Sequence, residues 1–507
     1  MFPYPADVRK ERSIRNEGIP LASPEGKLPS YKANLDTCRD TSCDHIWDQE
    51  IQAPVQTKNA VKGERDLTQG GIISTLISFA IPFFAANLLQ ALYGAVDLLI
   101  VGRFATGVSD VSAVACGSQI MTLVILGACG LTTAGTVIIG NFFGSGDMGK
   151  VRQTIGTMLS TFGICSVFGT VLMCLVSPWL LKFLHTPEKA FVAANQYVLI
   201  CSAGTIFIFG YNAFSAILRG VGNSVSPMIF VGIACLANIV LDLVLVGKFG
   251  MGPAGAAIAT VGSQAVSMVF AIFYIRGMKT LFDFKPRSFA VNTSIMEKLF
   301  CIGLPLSIQS TLIDLSFIII FSIINKLGVE ASAGYGICCR LNGFTMLPSI
   351  SFSMALTAIV AQNLGAGKTK RALSFLKRSI LLSVGIASFL FLWMEFWPKT
   401  AFAIFTKDPG TIAAGSLYMK SFCFDVLMVA FVFSGNGFLN GSGHTRFTLV
   451  NNVVPTFLVR IPVAWFIANL PNATLYGIGW AAPLASFLSI VITLVYLKTG
   501  RWKIKRI

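Results

Sequence analysis

The stretch GNFFGSGDMGKVRQ (140–153) closes a long apolar run, turns through glycines and opens a basic segment. AQNLGAGKTKRA (361–372) does the same in the second half of the chain. Glycines at a short turn followed by Lys and Arg read as a helix end, a tight turn and a new helix start. A second pair of turns, RGVGNS (219–224) and NGSGHT (440–445), echoes the first. Gly144 and Gly365 are separated by the same offset as Gly220 and Gly441, so the chain reads as two repeated halves. The first span of each half also carries a proline near its start, Pro82 and Pro305.

The sequence between these turns is apolar. Of the 507 residues 54% are hydrophobic and 12% charged, where a soluble domain carries about a quarter charged. Mean hydropathy is +0.71. About 20 apolar residues cross a bilayer as a helix, and only helices and closed barrels satisfy their backbone there. The runs are continuous and lack the alternation of a barrel strand. They predict twelve helices, at 72–101, 110–140, 153–181, 190–218, 225–247 and 254–275, then 295–325, 331–362, 373–404, 411–439, 447–469 and 475–497. The expected fold is therefore an all-α polytopic membrane protein with two pseudo-symmetric six-helix lobes. An even number of spans per half gives both halves one orientation and a symmetry axis along the membrane normal.

The expected organisation is a polar, disordered cytoplasmic tail (1–66), an N-lobe (67–275), a basic cytoplasmic linker (276–294), a C-lobe (295–498) and a basic cytoplasmic C-terminus (499–507). The tail has no apolar core of a signal peptide. Its Cys38, Cys43 and His45 lack the second pair of ligands that a zinc site needs, so no metal is expected. The other cysteines sit singly in apolar runs and read as small hydrophobes.

The net charge is +16. Lys and Arg gather in one set of loops: Lys150 and Arg152; Arg276, Lys279, Lys285 and Arg287; Lys368, Lys370, Arg371, Lys377 and Arg378. The C-terminal Lys498, Arg501, Lys503, Lys505 and Arg506 fall on the same side. The alternate loops are poorer, with Lys248, Lys326, Lys399 and Lys407. Basic loops face the cytoplasm, so both termini are expected there, in a multi-pass protein of the cell membrane. No soluble module carries a basic patch with interleaved aromatics, and no nucleic-acid partner is expected.

Ionisable and amide side chains inside spans are functional candidates, because each costs several kcal/mol unless paired or neutralised. In NIVLDLVLVGKFG (238–250), Asn238 and Asp242 are four apart and share one helix face. Asp97, before Gly102, falls at the same depth in the first span, and Thr260 in GAAIAT falls near that depth in the sixth. Asn87, Gln90, Gly94 and Asp97 recur at helical spacing, as a polar stripe facing the bundle interior. Two carboxylates in low dielectric do not both stay charged without a partner, so the cluster should hold a proton or a small hard cation such as Na+. Asn87, Gln90, Asn212, Gln309 and Arg460 are further cavity-lining candidates. The second half has no matched cluster: Asp314 and Asp425 stand at other places. His185 and His444 read as loop surface residues and Glu395 as a solvated acid among interfacial aromatics. Metalloprotease, P-loop and nucleophile-elbow signatures are missing, which argues against an enzyme and, with no nucleotide-binding domain, for an ion gradient as the energy source.

These residues resemble the multidrug and toxic compound extrusion family, in its bacterial branch. The resemblance rests on IPFFAANLLQALYGAVDLLIVGR (81–103), GNFFGSGDMGKVRQ, RGVGNSVSPM (219–228), NIVLDLVLVGKFGMGPAGAAIATVGSQ (238–264) and GLPLSIQSTL (303–312), and covers about 70–500. It implies a V-shaped pair of six-helix lobes and a monomer that exports amphipathic, often cationic compounds in exchange for Na+ or H+, with no cofactor. It also implies that Asp97, Asn238, Asp242 and Thr260 match the family's N-lobe cation site. Some members use acids in the seventh and tenth spans instead. Here Gln309 stands near one such place and Asp425 matches the other poorly. The alternative is a flippase for lipid-linked precursors, whose cavity would need several Arg or Lys for pyrophosphate; Arg340 and Arg460 are few.

Overall fold

The computed structural model describes residues 65–104, 107–278 and 280–503. The tail ahead of Arg65, with its Cys38–Cys43–His45 motif, lies outside these residues, as do Lys279, Lys505 and Arg506. Regular structure among the described residues is helical throughout.

Eleven helices are long and apolar enough to cross a membrane, and a bent pair makes the twelfth. They are α1 (Ile72–Phe104), α2 (Ser109–Gly144), α3 (Met148–Phe183), α4 (Glu188–Ala203 with Thr205–Gly220), α5 (Val225–Lys248) and α6 (Gly252–Gly277). The second half supplies α7 (Thr293–Asn325), α8 (Val329–Gly365), α9 (Thr369–Phe396), α10 (Pro409–Gly441), α11 (Thr445–Ala468) and α12 (Leu475–Thr499). Side chains start several of them: Asp147 accepts from the Lys150 N–H (2.9 Å), Asn292 from Ile295 (3.1 Å) and Asp408 from Thr411 (2.8 Å). The repeated turns need their second glycines, since Gly146 and Gly367 take φ of +80° and +72°.

Two expected spans come out differently. The fourth bends by 47° at Gly204. Gly204 packs so closely on Val261 of α6 that a Cβ there would stand 2.4 Å from a valine methyl. The ninth ends at Phe396 and not near 404, because Pro398 cannot continue the helix and begins a separate short one, Pro398–Ala403.

Each half folds as a bundle, α2 and α10 being among the most buried spans and α3 and α9 among the most peripheral. At the basic end the two bundles interpenetrate. The first turns of α1 bury Leu76, Phe79, Ala80 and Phe83 among Phe352, Ile359, Phe375 and Phe438 of the other half. The first turns of α7 return the exchange, burying Ile295, Leu299 and Ile302 in the core of the first half. Beyond Pro82 and Phe83, α1 packs on its own bundle through Ala86, Leu89 and Tyr93.

Lipid offers helices little hydrophobic gain on association, so close packing of small residues and hydrogen bonds hold them together. Both are concentrated where α2 crosses α8. A Cβ on Gly144 would stand 2.0 Å from the Gln362 carbonyl oxygen, and one on Gly365 would stand 2.0 Å from the Asn141 carbonyl oxygen. Each glycine of the repeated turn thus lies against the backbone just before the other. The Gln362 amide donates to Gly220 O (2.8 Å) and accepts from the Leu67 N–H (3.1 Å). Lys368 Nζ reaches Thr68 O (2.9 Å) and Arg371 reaches Gln69 O (2.7 Å), so residues 67–70 are strapped across the seam. Ser307 Oγ donates to Gly127 O (2.9 Å) further along α2.

Gly365→Val should force the crossing apart while leaving each bundle folded. With cysteines placed at Thr68 and Lys368, a short bifunctional thiol reagent should cross-link the parent efficiently and the valine variant several-fold less. Equal yields would show that the crossing does not set the contact.

Candidate functional site

The structure brings two of the candidate acids together. Asp97 on α1 faces Asp242 on α5, and Asp242 neighbours Asn238 one turn earlier on the same helix. Asn238 and Asp242 are fully buried, and Asp97 is nearly so. Asp242 is the last α-helical residue before a π-helical turn, Leu243–Lys248. Such turns widen the ring of the backbone hydrogen bond and recur at functional sites.

These groups face one another and little else that is polar. Asp97 Oδ1, both carboxylate oxygens of Asp242, and both side-chain polar atoms of Asn238 are buried and have no hydrogen-bond partner. Buried polar atoms are otherwise bonded in the great majority of cases, and an unpartnered one costs on the order of 1–3 kcal/mol. Four of the five orphaned atoms are oxygens. An oxygen set with two acids suits a proton shared between carboxyls or a hard monovalent cation.

Thr260 joins the cluster through a residue that the sequence reading missed. Tyr93 Oη bonds Thr260 Oγ1 at 3.2 Å, and the Tyr93 ring stands beside both acids. Tyr93 lies one turn before Asp97 on α1, so i, i+4 spacing alone could have flagged it. Tyr197 and Cys201 on the first half of α4 also approach Asp97. They come from a distant part of the chain, and no local signal marks them.

The other candidates scatter. Asn87 Nδ2 donates to Ser351 Oγ of α8 (3.3 Å) and so bridges the bundles. Gln90 and Gly94 are exposed, so the polar stripe does not face inward along its length: Asn87 turns to α8 and only Asp97 is buried in its own bundle. Asn212 donates to the Ile208 carbonyl of its own helix (2.9 Å). Gln309 is half-buried with an unpartnered Oε1. Arg460 is buried in the second bundle, 4.3 Å from the Phe317 ring centroid.

Two expected surface residues are interior ones. His444 is 1% exposed, because the turn before α11 tucks under Tyr496 and His444 Nδ1 lies 3.0 Å from the Ser442 carbonyl. Glu395 is half-buried and accepts from Cys423 Sγ (3.1 Å), since the end of α9 leans on α10. His185 is exposed, as expected. Asp314 is also exposed, while Asp425 is buried with Oδ1 bonded to Ser486 Oγ (2.5 Å).

Two helical bundles related by a repeat find their counterpart among known proteins. The MatE family description matches residues 82–244 and again 305–466. The chain belongs to the MatE family. It is 28% identical over 440 residues to the probable multidrug resistance protein YpnP of Bacillus subtilis, across 86% of this chain and 97% of that one. It is 26% identical to the probable multidrug resistance protein NorM of Thermotoga maritima, across 84% and 92%. Among solved structures, an outward-facing multidrug resistance MATE family transporter superposes with a TM-score of 0.81 at 18% identity, over 88% of this chain and all of that one. The fold of this MatE-family chain is thus shared at low identity.

Tyr93→Phe removes one hydroxyl and leaves both acids. A neutral hydrogen bond is worth about 1 kcal/mol, so the variant should shift apparent cation affinity only several-fold. Transport rate against Na+ concentration and against pH reads this directly. Complete loss, or no shift at all, would show that the tyrosine plays another part.

Proposed function

We propose that the protein is a cation-coupled antiporter that exports amphipathic, often cationic compounds across the cytoplasmic membrane by alternating access. Na+ or H+ is the coupling ion, and Asp97, Asn238, Asp242 and Thr260 are its site. The observation that supports this most is the set of orphaned oxygens on Asp97 and Asp242, held together by two helices of the first bundle. Membership of a family whose named relatives are multidrug resistance proteins supports the direction and the class of cargo. Residues 67–275 and 295–498 are the two lobes that rock, and the chain works as a monomer.

The physics of coupling is short. Two facing carboxylates in low dielectric repel, and a proton or Na+ between them relieves the repulsion. An ion moves the equilibrium between two conformations only by the difference in its affinity for them. The site meets that condition if the facing of α1 and α5 changes between states. With the basic loops on the cytoplasmic side, the seam of α2 and α8 lies on that side too, and the described conformation is closed inside. The acidic character of the buried cluster favours the exporter over a flippase, which would need cations for pyrophosphate.

Asp97→Asn and Asp242→Asn should each abolish gradient-driven efflux of a fluorescent cation from liposomes while the protein still inserts and folds. Wild-type rates under an imposed Na+ or pH gradient in either variant would sink the assignment. The orientation has its own test. Single cysteines at Ser145 and Ala366, in a cysteine-free background, should resist impermeant thiol reagents in intact cells. Rapid labelling of both from outside would invert the topology.

A further inference from the structure

The second lobe holds a buried cation that nothing in the N-lobe reading uses. Arg460 closes a π-helical turn of α11, Thr456–Arg460. The repeat puts this turn in the span that corresponds to α5, whose own π-helical turn follows Asp242. Carried through the offset that pairs Gly220 with Gly441, Ile239 falls on Arg460; carried through the offset that pairs Pro82 with Pro305, Gly94 falls on Phe317. Asp242 is about one turn from Ile239, and Asp97 is about one turn from Gly94. Arg460 and Phe317 therefore occupy, in the C-lobe, the neighbourhood that the two acids occupy in the N-lobe.

The guanidinium is 8% exposed and always charged. Its Nε has no partner, and its described contact is the face of Phe317 at 4.3 Å. It lines a cavity of about 60 Å³ together with Asp425, Asn452, Thr456, Ser486 and Ser489. That is room for a few waters between two opposite charges. The other titratable groups that face Arg460 are Tyr335, Tyr418 and Cys339. None of these is a carboxyl. Asp425 is the one acid in the arrangement, and Ser486 orients it.

We propose that Arg460 is a built-in cation that stands in for a coupling ion in the C-lobe. Its charge balances Asp425 across the cavity, repels Na+, and leaves Asp97–Asp242 as the site where an exchangeable ion acts. The proposal rests on the reading of the N-lobe acids as the coupling site. It assigns Arg460 a specificity role: it decides that one lobe is ion-dependent and the other is not.

The test is a gain of binding. In purified protein carrying Asp97→Asn and Asp242→Asn, equilibrium ²²Na+ binding and proton uptake by titration should both lack a saturable site. Adding Arg460→Gln should create about one site per chain, for Na+ or for a proton, and adding Asp425→Asn should remove it again. Arg460→Lys keeps the charge and should create none. If the Arg460→Gln chain elutes as folded protein and binds neither ion, the proposal is overturned. A second measurement needs no ion. Asp425→Asn alone strands a buried guanidinium and should lower Tm by several degrees, and Arg460→Gln in the same chain should recover most of the loss. An unchanged Tm in Asp425→Asn would equally overturn it. If Asp242→Asn by itself keeps full ion-dependent transport, the N-lobe reading fails. The two Asp425 measurements still stand or fall separately.

Discussion

Two glycines hold the closed form together. Gly144 and Gly365 let the ends of α2 and α8 approach until backbone meets backbone, and no side chain fits at either place. This contact is almost its own mirror under the repeat, because each glycine rests on the residue three before the other. Around it the strap of residues 67–70, the Gln362 amide and the crossed starts of α1 and α7 find their partners. In a solvent that does not drive helices together, such a seam is the natural place for a reversible joint. It combines backbone contact, hydrogen bonds and the apolar starts of α1 and α7.

The repeat supplies geometry twice and chemistry once. Both halves keep the G-x-G turns, the proline near the start of the first helix and a π-helical turn in the fifth. Their buried charges differ. The N-lobe sets two acids face to face, and the C-lobe sets an arginine against an aromatic face and a single buried aspartate. On the reading proposed above, similar scaffolds with unequal buried charge would let the two lobes respond differently to one ion.

Much of this was legible in the sequence, for identifiable reasons. Span number, repeat and the shared depth of Asp97 and Asp242 follow from hydropathy, glycine spacing and helical period, which act locally along the chain. The bend at Gly204 and the burial of His444 did not, because each is set by a neighbour far away in sequence, Val261 and Tyr496. The exposure of Gln90 was not legible for a related reason. Helical spacing says which residues share a face, and it does not say what that face meets. Tyr93 was readable at one turn from Asp97, since a buried tyrosine hydroxyl seeks a partner and here finds Thr260.

The crossed first helices connect the Asp97–Asp242 cluster to the seam. α1 begins in the core of the second half, leaves it just after Pro82, and ends among residues of the first half with Asp97 buried there. From Phe83 to Asp97 is four turns, about 21 Å of helix. Pro82 donates no backbone hydrogen bond, so α1 is softest where it passes from one bundle to the other. On the proposed reading, a change in how Asp97 meets Asp242 would turn the far part of a rod whose near part is embedded in the seam. The two-bundle fold would then need no separate relay, because the helix that carries the first acid is also part of the contact between the bundles.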